Sequence, residues 1–414
     1  MRMQRFTVVI ASLSVAFGVP VTAMAKSCSP IWVPTWASSQ MLPTGENVLP
    51  KGTLGGATLR QIVRTSSAGQ RLRIRLSNVA SSDPLRISGV TVAEAESPTS
   101  SAIKPQSLKP VLFDGRRDVI IPAGAEYLSD PVPLAPSALQ SLTVSIHYAE
   151  EPSAPTSHPG SRATSYVLPG DHLADPAMPG AKTFAHWFSL ASLEAETCAP
   201  AATVVALGDS ITDGRGATTD GNDRWTDGLA SRLQASPKLR HLAVLNQGIG
   251  GNRLLNDGLG PNALARLDRD VMAQPGVRYL IVLEGINDIG TLTREAPVSD
   301  AAHEQLVSRM IGAYRQIVLR ARARGIKVIG ATILPFVGNE YYHPDARNEA
   351  DRQAVNRWIR QPGNFDGVVD FDRVIRDPAR PDRMHAAYDS GDGLHPSPAG
   401  YRAMSDAISL ELFK

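Results

Sequence analysis

The hydrophobic rhythm of the chain changes near its middle. Up to about residue 197, apolar and polar positions alternate in short runs. Arg71-Leu72-Arg73-Ile74-Arg75-Leu76 has the period of two expected of a half-buried strand. Residues 58–65, 87–95, 118–121 and 141–148 are similar runs, rich in Val, Ile, Leu, Thr and Tyr. Clusters such as Ser67-Ala68-Gly69 and Ser81-Ser82-Asp83-Pro84 separate them, and no long helical period intervenes. Many short strands between turn signals predict an antiparallel sandwich or jelly roll. Residues 153–164, rich in Ser, Thr and Pro, read as a long surface loop. The polar stretch Glu194-Ala195-Glu196-Thr197, followed by Cys198-Ala199-Pro200, reads as a domain boundary.

Beyond that point strands alternate with helices. Residues 203–207, 243–246, 278–283, 327–333 and 368–371 read as strands. Residues 299–324 read as a helix, because Leu306, Met310, Ile311, Tyr314, Ile317, Val318 and Ala321 recur at helical spacing and Gly325 follows as a stop. Residues 349–360 and 398–412 read as further helices. This order predicts a parallel sheet with right-handed crossovers and helices on both faces. Ligands of such sheets sit beyond the C-terminal strand ends, so the loops there carry the candidate chemistry.

Length and composition refine this picture. A chain of 414 residues exceeds the usual size of one domain. The pattern divides it into an N-terminal segment 1–25, a β-rich domain 26–197 and an α/β domain 198–414. The first segment reads as a secretory signal. Arg2 and Arg5 give a basic start, residues 6–19 a mostly apolar core, and Ala23-Met24-Ala25 a small-x-small cleavage site, with Lys26 as the mature start. The apolar core is shorter than the ~20 residues of a bilayer span and Pro20 interrupts it, so no stable membrane insertion is expected. The destination is secreted or periplasmic. Arg2 and Arg5 also account for the whole formal charge of +2, which leaves no argument for a nucleic-acid partner.

The chain has two cysteines, Cys28 and Cys198. In an exported protein they are candidates for a disulfide joining the two ends of the β-rich half. Lipidation of Cys28 is disfavoured by Ala25 three residues before it. Trp32, Trp36 and Trp187 read as packing residues, with a sugar-stacking platform as the alternative.

Four loops of the α/β half are distinctive. The apolar run Val204-Val205-Ala206-Leu207 stops at Gly208-Asp209-Ser210. The second loop is Gln247-Gly248-Ile249-Gly250-Gly251-Asn252-Arg253, the third Glu284-Gly285-Ile286-Asn287-Asp288, and the fourth Asp389-Ser390-Gly391-Asp392-Gly393-Leu394-His395-Pro396-Ser397. The second loop is no dinucleotide fingerprint, since Arg253 stands where its last glycine belongs. Each loop by itself reads as a turn or a cap. Together they supply the parts of one mechanism: a serine hydroxyl, an imidazole base, a carboxylate to orient the base, and donors for an oxyanion. Those parts are Ser210, His395 and Asp392, with the N–H groups of Ser210 and Gly251 and the Asn287 side-chain amide as oxyanion donors. The α/β-hydrolase elbow G-x-S-x-G is not met, since Thr212 stands where its second glycine belongs.

At these residues the chain resembles the SGNH hydrolases, the GDSL-type esterases and lipases. Gly208-Asp209-Ser210, Gly251, Gly285-x-Asn287-Asp288 and Asp392-x-x-His395 match the family blocks in order, over roughly residues 200–412. Ile211 replaces the leucine of the family name. The resemblance implies a three-layer α/β/α, flavodoxin-like hydrolase domain with a parallel sheet, here preceded by an all-β sandwich or jelly-roll domain. It implies Ser210 as nucleophile, His395 as base and Asp392 as orienter. Ser210, Gly251 and Asn287 become the oxyanion hole, and no metal or cofactor is implied. The two-domain layout, with Trp36, Arg60-Gln61-Ile62-Val63-Arg64 and Arg73-Ile74-Arg75-Leu76-Ser77-Asn78, resembles a subgroup of secreted bacterial GDSL-type esterases.

The expectation is therefore a secreted serine esterase that hydrolyses a small-molecule or polysaccharide ester through an acyl-enzyme. A polysaccharide deacetylase, a broad short-chain carboxylesterase and a lipase or lysophospholipase are the substrate readings, in that order. From another class, an inactive glycan-binding protein is the alternative, which the presence of Ser210, Asp392 and His395 argues against. Oligomeric state is not set by the sequence.

Overall fold

Alternating side chains in the first half leave one apolar face per strand, and two sheets bury those faces against each other. A computed structural model of the chain describes Gln4, Thr7, Val8 and residues 29–198 and 200–414. The 1–25 segment lies almost wholly outside the described residues, as does Cys28. One antiparallel sheet runs in the order Pro30–Ala37, Leu190–Cys198, Leu72–Ser77, Glu126–Leu128. The second is seven-stranded, with Ala57–Arg64, Ser141–Tyr148 and Leu85–Glu94 as its central strands. Leu72, Ile74, Leu76 and Leu193 from the first sheet share one core with Leu59, Val63, Val144 and Ile146 from the second. This is an all-β sandwich.

The polar stretch 194–197, read as a domain boundary, is the end of strand Leu190–Cys198. Leu193 and Ala195 face the core, while Glu194 and Glu196 meet arginines of the neighbouring strand. Glu194 pairs with Arg73 at 2.5 Å and Arg75 at 2.6 Å, and Glu196 pairs with Arg71 at 2.5 Å. Opposite charges directly across a sheet stabilise the pairing, which is how a polar run sustains a strand. Pro30 is in register with Cys198, so that strand ends beside the chain that follows Cys28. Trp36 and Trp187 are buried, edge to face at 4.9 Å, as packing residues. Trp32 lies under the Arg73 guanidinium, 4.3 Å from its ring centre.

The second half is a parallel five-stranded sheet in the order Leu242–Gly248, Ala202–Gly208, Val277–Leu283, Lys327–Ala331, Gly367–Val369. The strands are apolar runs because helices cover both faces of the sheet. Helix Asp300–Arg322 buries Met310, Tyr314, Ile317 and Ala321, the stripe expected from its spacing. Helix Ala346–Arg360 starts earlier than expected because Asp345 caps it, accepting from the Arg347 and Asn348 amides. The last helix, Pro398–Ala407, is shorter than expected and is followed by a 3-10 turn, Leu410–Phe413. Helix Trp225–Ala235 forms the first crossover, between strands Ala202–Gly208 and Leu242–Gly248, where the alternation of strands and helices expects one. Among the described residues no helix is long and apolar enough to cross a membrane.

The halves are in contact along the edge strand Leu242–Gly248. There the Val244 amide donates to Ser66 Oγ of the sandwich at 3.0 Å. The stretch read as a long surface loop, 153–164, is instead packed into this junction: it contains strand Ser157–Pro159 with Ser157 and His158 buried.

Candidate active site

In the strand order 2-1-3-4-5 the second strand lies on one side of the first and the third on the other, and a crevice opens where the connections diverge. The first strand here is Ala202–Gly208. Gly208 is level with Gly248 on one side and Leu283 on the other, so the loops after these three strands start at one height. A side chain at 208 would not fit: its Cβ would lie 2.1 Å from Thr212 Oγ1 and 2.7 Å from the Leu283 carbonyl. The glycine lets the chain turn at once into the short helix Ser210–Asp213. Asp209 caps that helix, with its carboxylate accepting from the Ile211 amide at 2.9 Å. Ser210 therefore projects from the first helical position at the mouth of the crevice.

His395 reaches the same place from the far end of the chain. Its loop is a closed hairpin in which the Ser390 amide donates to the His395 carbonyl at 2.9 Å, and Ser397 then caps helix Pro398–Ala407. His395 Nε2 lies 2.8 Å from Ser210 Oγ, and Nδ1 lies 2.6 Å from Asp392 Oδ2. The other Asp392 oxygen accepts the Leu394 amide at 2.9 Å and the His395 amide at 2.8 Å. Burial alone would raise the Asp392 pKa. The His395 ring and the two amides outweigh it and hold the carboxyl well below the usual range. An ionised Asp392 accepts a proton-bearing Nδ1, which leaves Nε2 free to accept the serine hydroxyl. Ser210 and His395 are both buried.

The other three candidates lie in the adjoining loops. Gly251 has a positive φ of 67°, and Asn287 is on the first turn of helix Ile286–Thr293. Asn287 Nδ2 donates to the Asn252 carbonyl at 2.7 Å, next to Gly251. Asp288 ties these two loops together by accepting the Leu254 and Leu255 amides at 2.8 and 3.1 Å. Among the described residues, the Ser210 and Gly251 amides donate to no protein acceptor, and Asn287 has a second amide hydrogen uncommitted.

Residues 206–403 match the family model of the GDSL-like Lipase/Acylhydrolase family. They form a GDSL-like lipase/acylhydrolase domain. Among solved structures, this chain is similar to a catalytic mutant of an acetylxylan esterase from Geobacillus stearothermophilus. That match has 23% identity and a TM-score of 0.38, covering 51% of this chain and 94% of that one. It is similar also to a GDSL-like lipase from Bacteroides thetaiotaomicron, with 19% identity and a TM-score of 0.36, covering 51% of this chain and 87% of that one. No curated protein matched the chain.

The GDSL-like domain has a buried second layer that spacing along the chain did not single out. Arg266, fully buried, donates from Nη2 to the Gly208 carbonyl at 2.9 Å and from Nη1 to the Gln247 carbonyl at 2.6 Å. It also meets Asp270 at 3.0 Å and Glu284 at 3.3 Å. Burial drives three carboxyls here upward: Asp209 to about 7, Asp288 to about 6, and Glu284 well above its ordinary value. Ser39 of the sandwich joins the same network, 2.6 Å from Gln247 Oε1 and 2.9 Å from Asp270 Oδ2. The one sequence signal for this layer is an arginine on an otherwise apolar helical stretch, Ala263–Leu267.

Proposed function

We propose that this chain is a serine esterase, hydrolysing carboxylic esters through an acyl-enzyme. The observation that carries the reading is the continuous row from Ser210 Oγ through His395 to Asp392. Ser210 Oγ attacks the ester carbonyl carbon while its proton passes to His395 Nε2. The carbonyl oxygen becomes an oxyanion, held by the Ser210 and Gly251 amides and the Asn287 carboxamide. Each such donor is worth ~3–4 kcal/mol in the transition state. Collapse breaks the bond to the alcohol, which leaves with the proton from His395. Water then attacks the acyl-enzyme by the same route and releases the acid, returning the proton to Ser210. Asp392 keeps the imidazole in the required tautomer throughout.

The substrate class proposed first is an acetylated polysaccharide. Leu259, 45% exposed, lies over Gly251, and Tyr341, 60% exposed, packs on Tyr342. Exposed apolar and aromatic groups at the cleft rim suit the faces of sugar rings. Broad short-chain esters and lipid esters follow. Export by the 1–25 segment, the division at 26–197 and 198–414, and a Cys28–Cys198 disulfide belong to the same proposal. The register of Pro30 with Cys198 supports the disulfide.

The test is a parallel assay of wild type and Ser210→Ala on p-nitrophenyl acetate and acetylated xylan. Wild type should release acetate and Ser210→Ala should not, at an unchanged melting temperature. Retained hydrolysis by Ser210→Ala would sink the nucleophile assignment.

A further inference from the structure

The segment after strand Lys327–Ala331 contributes no group to the proposed mechanism, yet it joins two parts of it. Asn339 Nδ2 donates to the Asp392 carbonyl at 2.8 Å. Asn339 Oδ1 accepts the Tyr342 amide at 2.9 Å, and the Tyr342 hydroxyl lies 2.6 Å from Asn287 Oδ1. The Asn287 carboxamide has only one workable orientation. The Asn252 carbonyl can only accept, so Nδ2 faces it and Oδ1 faces Tyr342. The phenol must then be the donor. Burial raises its pKa well above the ordinary value, so it keeps its proton.

The ring is built in. Tyr342 is buried, edge to face with Tyr341 at 4.8 Å. Its ring fills the space beside Gly290, where a Cβ would come within 2.4 Å. A hydroxyl fixed this firmly on Oδ1 holds the whole planar amide, including the Nδ2 hydrogen that Asn252 leaves free. Donation to Oδ1 also polarises the amide and strengthens Nδ2–H as a donor.

We propose that Tyr342 is a positioning residue for ester hydrolysis. Its hydroxyl aims the Asn287 carboxamide at the oxyanion and, through Asn339, couples that aim to the Asp392–His395 loop. The inference rests on Asn287 being an oxyanion donor. An aiming group matters most when the oxyanion forms, so its loss should appear in kcat rather than KM.

The experiment is a double-mutant cycle on p-nitrophenyl acetate with wild type, Asn287→Ala, Tyr342→Phe and the pair, each with a melting curve. Tyr342→Phe should lower kcat about tenfold with KM within about twofold, and should cost nothing further in the Asn287→Ala background. Unchanged kcat in Tyr342→Phe, or the same loss with and without Asn287, would overturn the inference while leaving the oxyanion hole intact. Unchanged kcat in Asn287→Ala would remove the oxyanion reading and this inference with it. Tyr342→Met separates packing from the hydroxyl. If the hydroxyl acts, the Phe and Met variants share one kcat despite different melting temperatures. If kcat follows the melting temperature instead, the role is packing and the inference fails.

Discussion

His158 of the sandwich is buried against Asp213, three residues after Ser210. Its Nε2 lies 2.8 Å from Asp213 Oδ1, and its Nδ1 lies 2.7 Å from the Ser39 carbonyl. A carbonyl only accepts, so Nδ1 carries a proton, and the carboxyl of Asp213 is met by the other nitrogen. The Trp187 ring stacks on this imidazole at 5.6 Å. The β-rich half is thus part of the wall behind the Ser210 turn.

His158→Ala should therefore act as a mutation of the GDSL-like domain. It leaves the buried Asp213 carboxyl without this hydrogen-bond partner, and an unsatisfied buried polar group costs about 1–3 kcal/mol. Denaturant melts should show a lower midpoint, with ester hydrolysis falling because the turn carrying Ser210 loses its support. A midpoint equal to wild type would mean that the contact contributes nothing.

Asp392→Asn tests the orienting role apart from the shape of the loop. Asn can still accept the Leu394 and His395 amides through its oxygen, but its NH₂ group would face His395 Nδ1. That favours the wrong tautomer, with Nε2 protonated and unable to accept from Ser210. A fall in kcat of about three to four orders of magnitude is expected, with little change in KM. A loss below tenfold would assign the carboxylate to loop structure only.

Much of this site was legible because buried parallel strands are apolar and their ends are not. The break after Leu207 and those after the two neighbouring strands each marked a loop, and the structure brings Ser210, His395 and Asp392 into one row. What stayed hidden was held by pairing across distance. Glu194 and Glu196 mark only a polar boundary in the sequence until Arg71, Arg73 and Arg75 meet them from the neighbouring strand. His158 is an unremarkable histidine in a Ser- and Pro-rich stretch until the fold brings Asp213 to it. Tyr342 lies 55 residues from Asn287, and no spacing rule joins them. The bounds of helix Trp225–Ala235 are not legible in the sequence because its apolar face is narrow: Trp225, Leu229, Ala230 and Leu233 among polar neighbours.

The carboxyl beneath Ser210 should leave a mark on stability against pH. Burial lifts Asp209 to about 7 in the folded chain. Unfolded, an aspartate titrates near its ordinary value of about 4. Between these limits the folded state holds a proton that the unfolded state has released. The stabilisation from that proton is fully present below about pH 4 and is lost as pH rises through about 7. Asp209→Asn keeps the oxygen that accepts from Ile211 and has nothing to titrate. Its melting temperature should gain on wild type as pH is raised from about 4 to 7. Parallel melting curves across that range would show that Asp209 is ionised throughout.

Arg266→Lys asks whether the buried cation acts by charge or by shape. The guanidinium reaches the Gly208 carbonyl at 2.9 Å, the Gln247 carbonyl at 2.6 Å, Asn252 Oδ1 at 3.0 Å and Ser39 Oγ at 2.9 Å, besides its two carboxylates. These partners lie on several sides of one planar fork. A lysine ammonium keeps the positive charge but has three donors at a single point and cannot span them. At least one strand-end carbonyl would lose its donor, as would Asn252 in the loop that carries Gly251. Unpaired buried polar groups cost about 1–3 kcal/mol each, so a total loss of about 3 kcal/mol is expected. It should appear as a lower denaturant midpoint at an unchanged slope. Hydrolysis should weaken as well, because the same guanidinium pins both the strand end before Ser210 and the loop of Gly251. Wild-type stability in Arg266→Lys would show that charge alone suffices at this position.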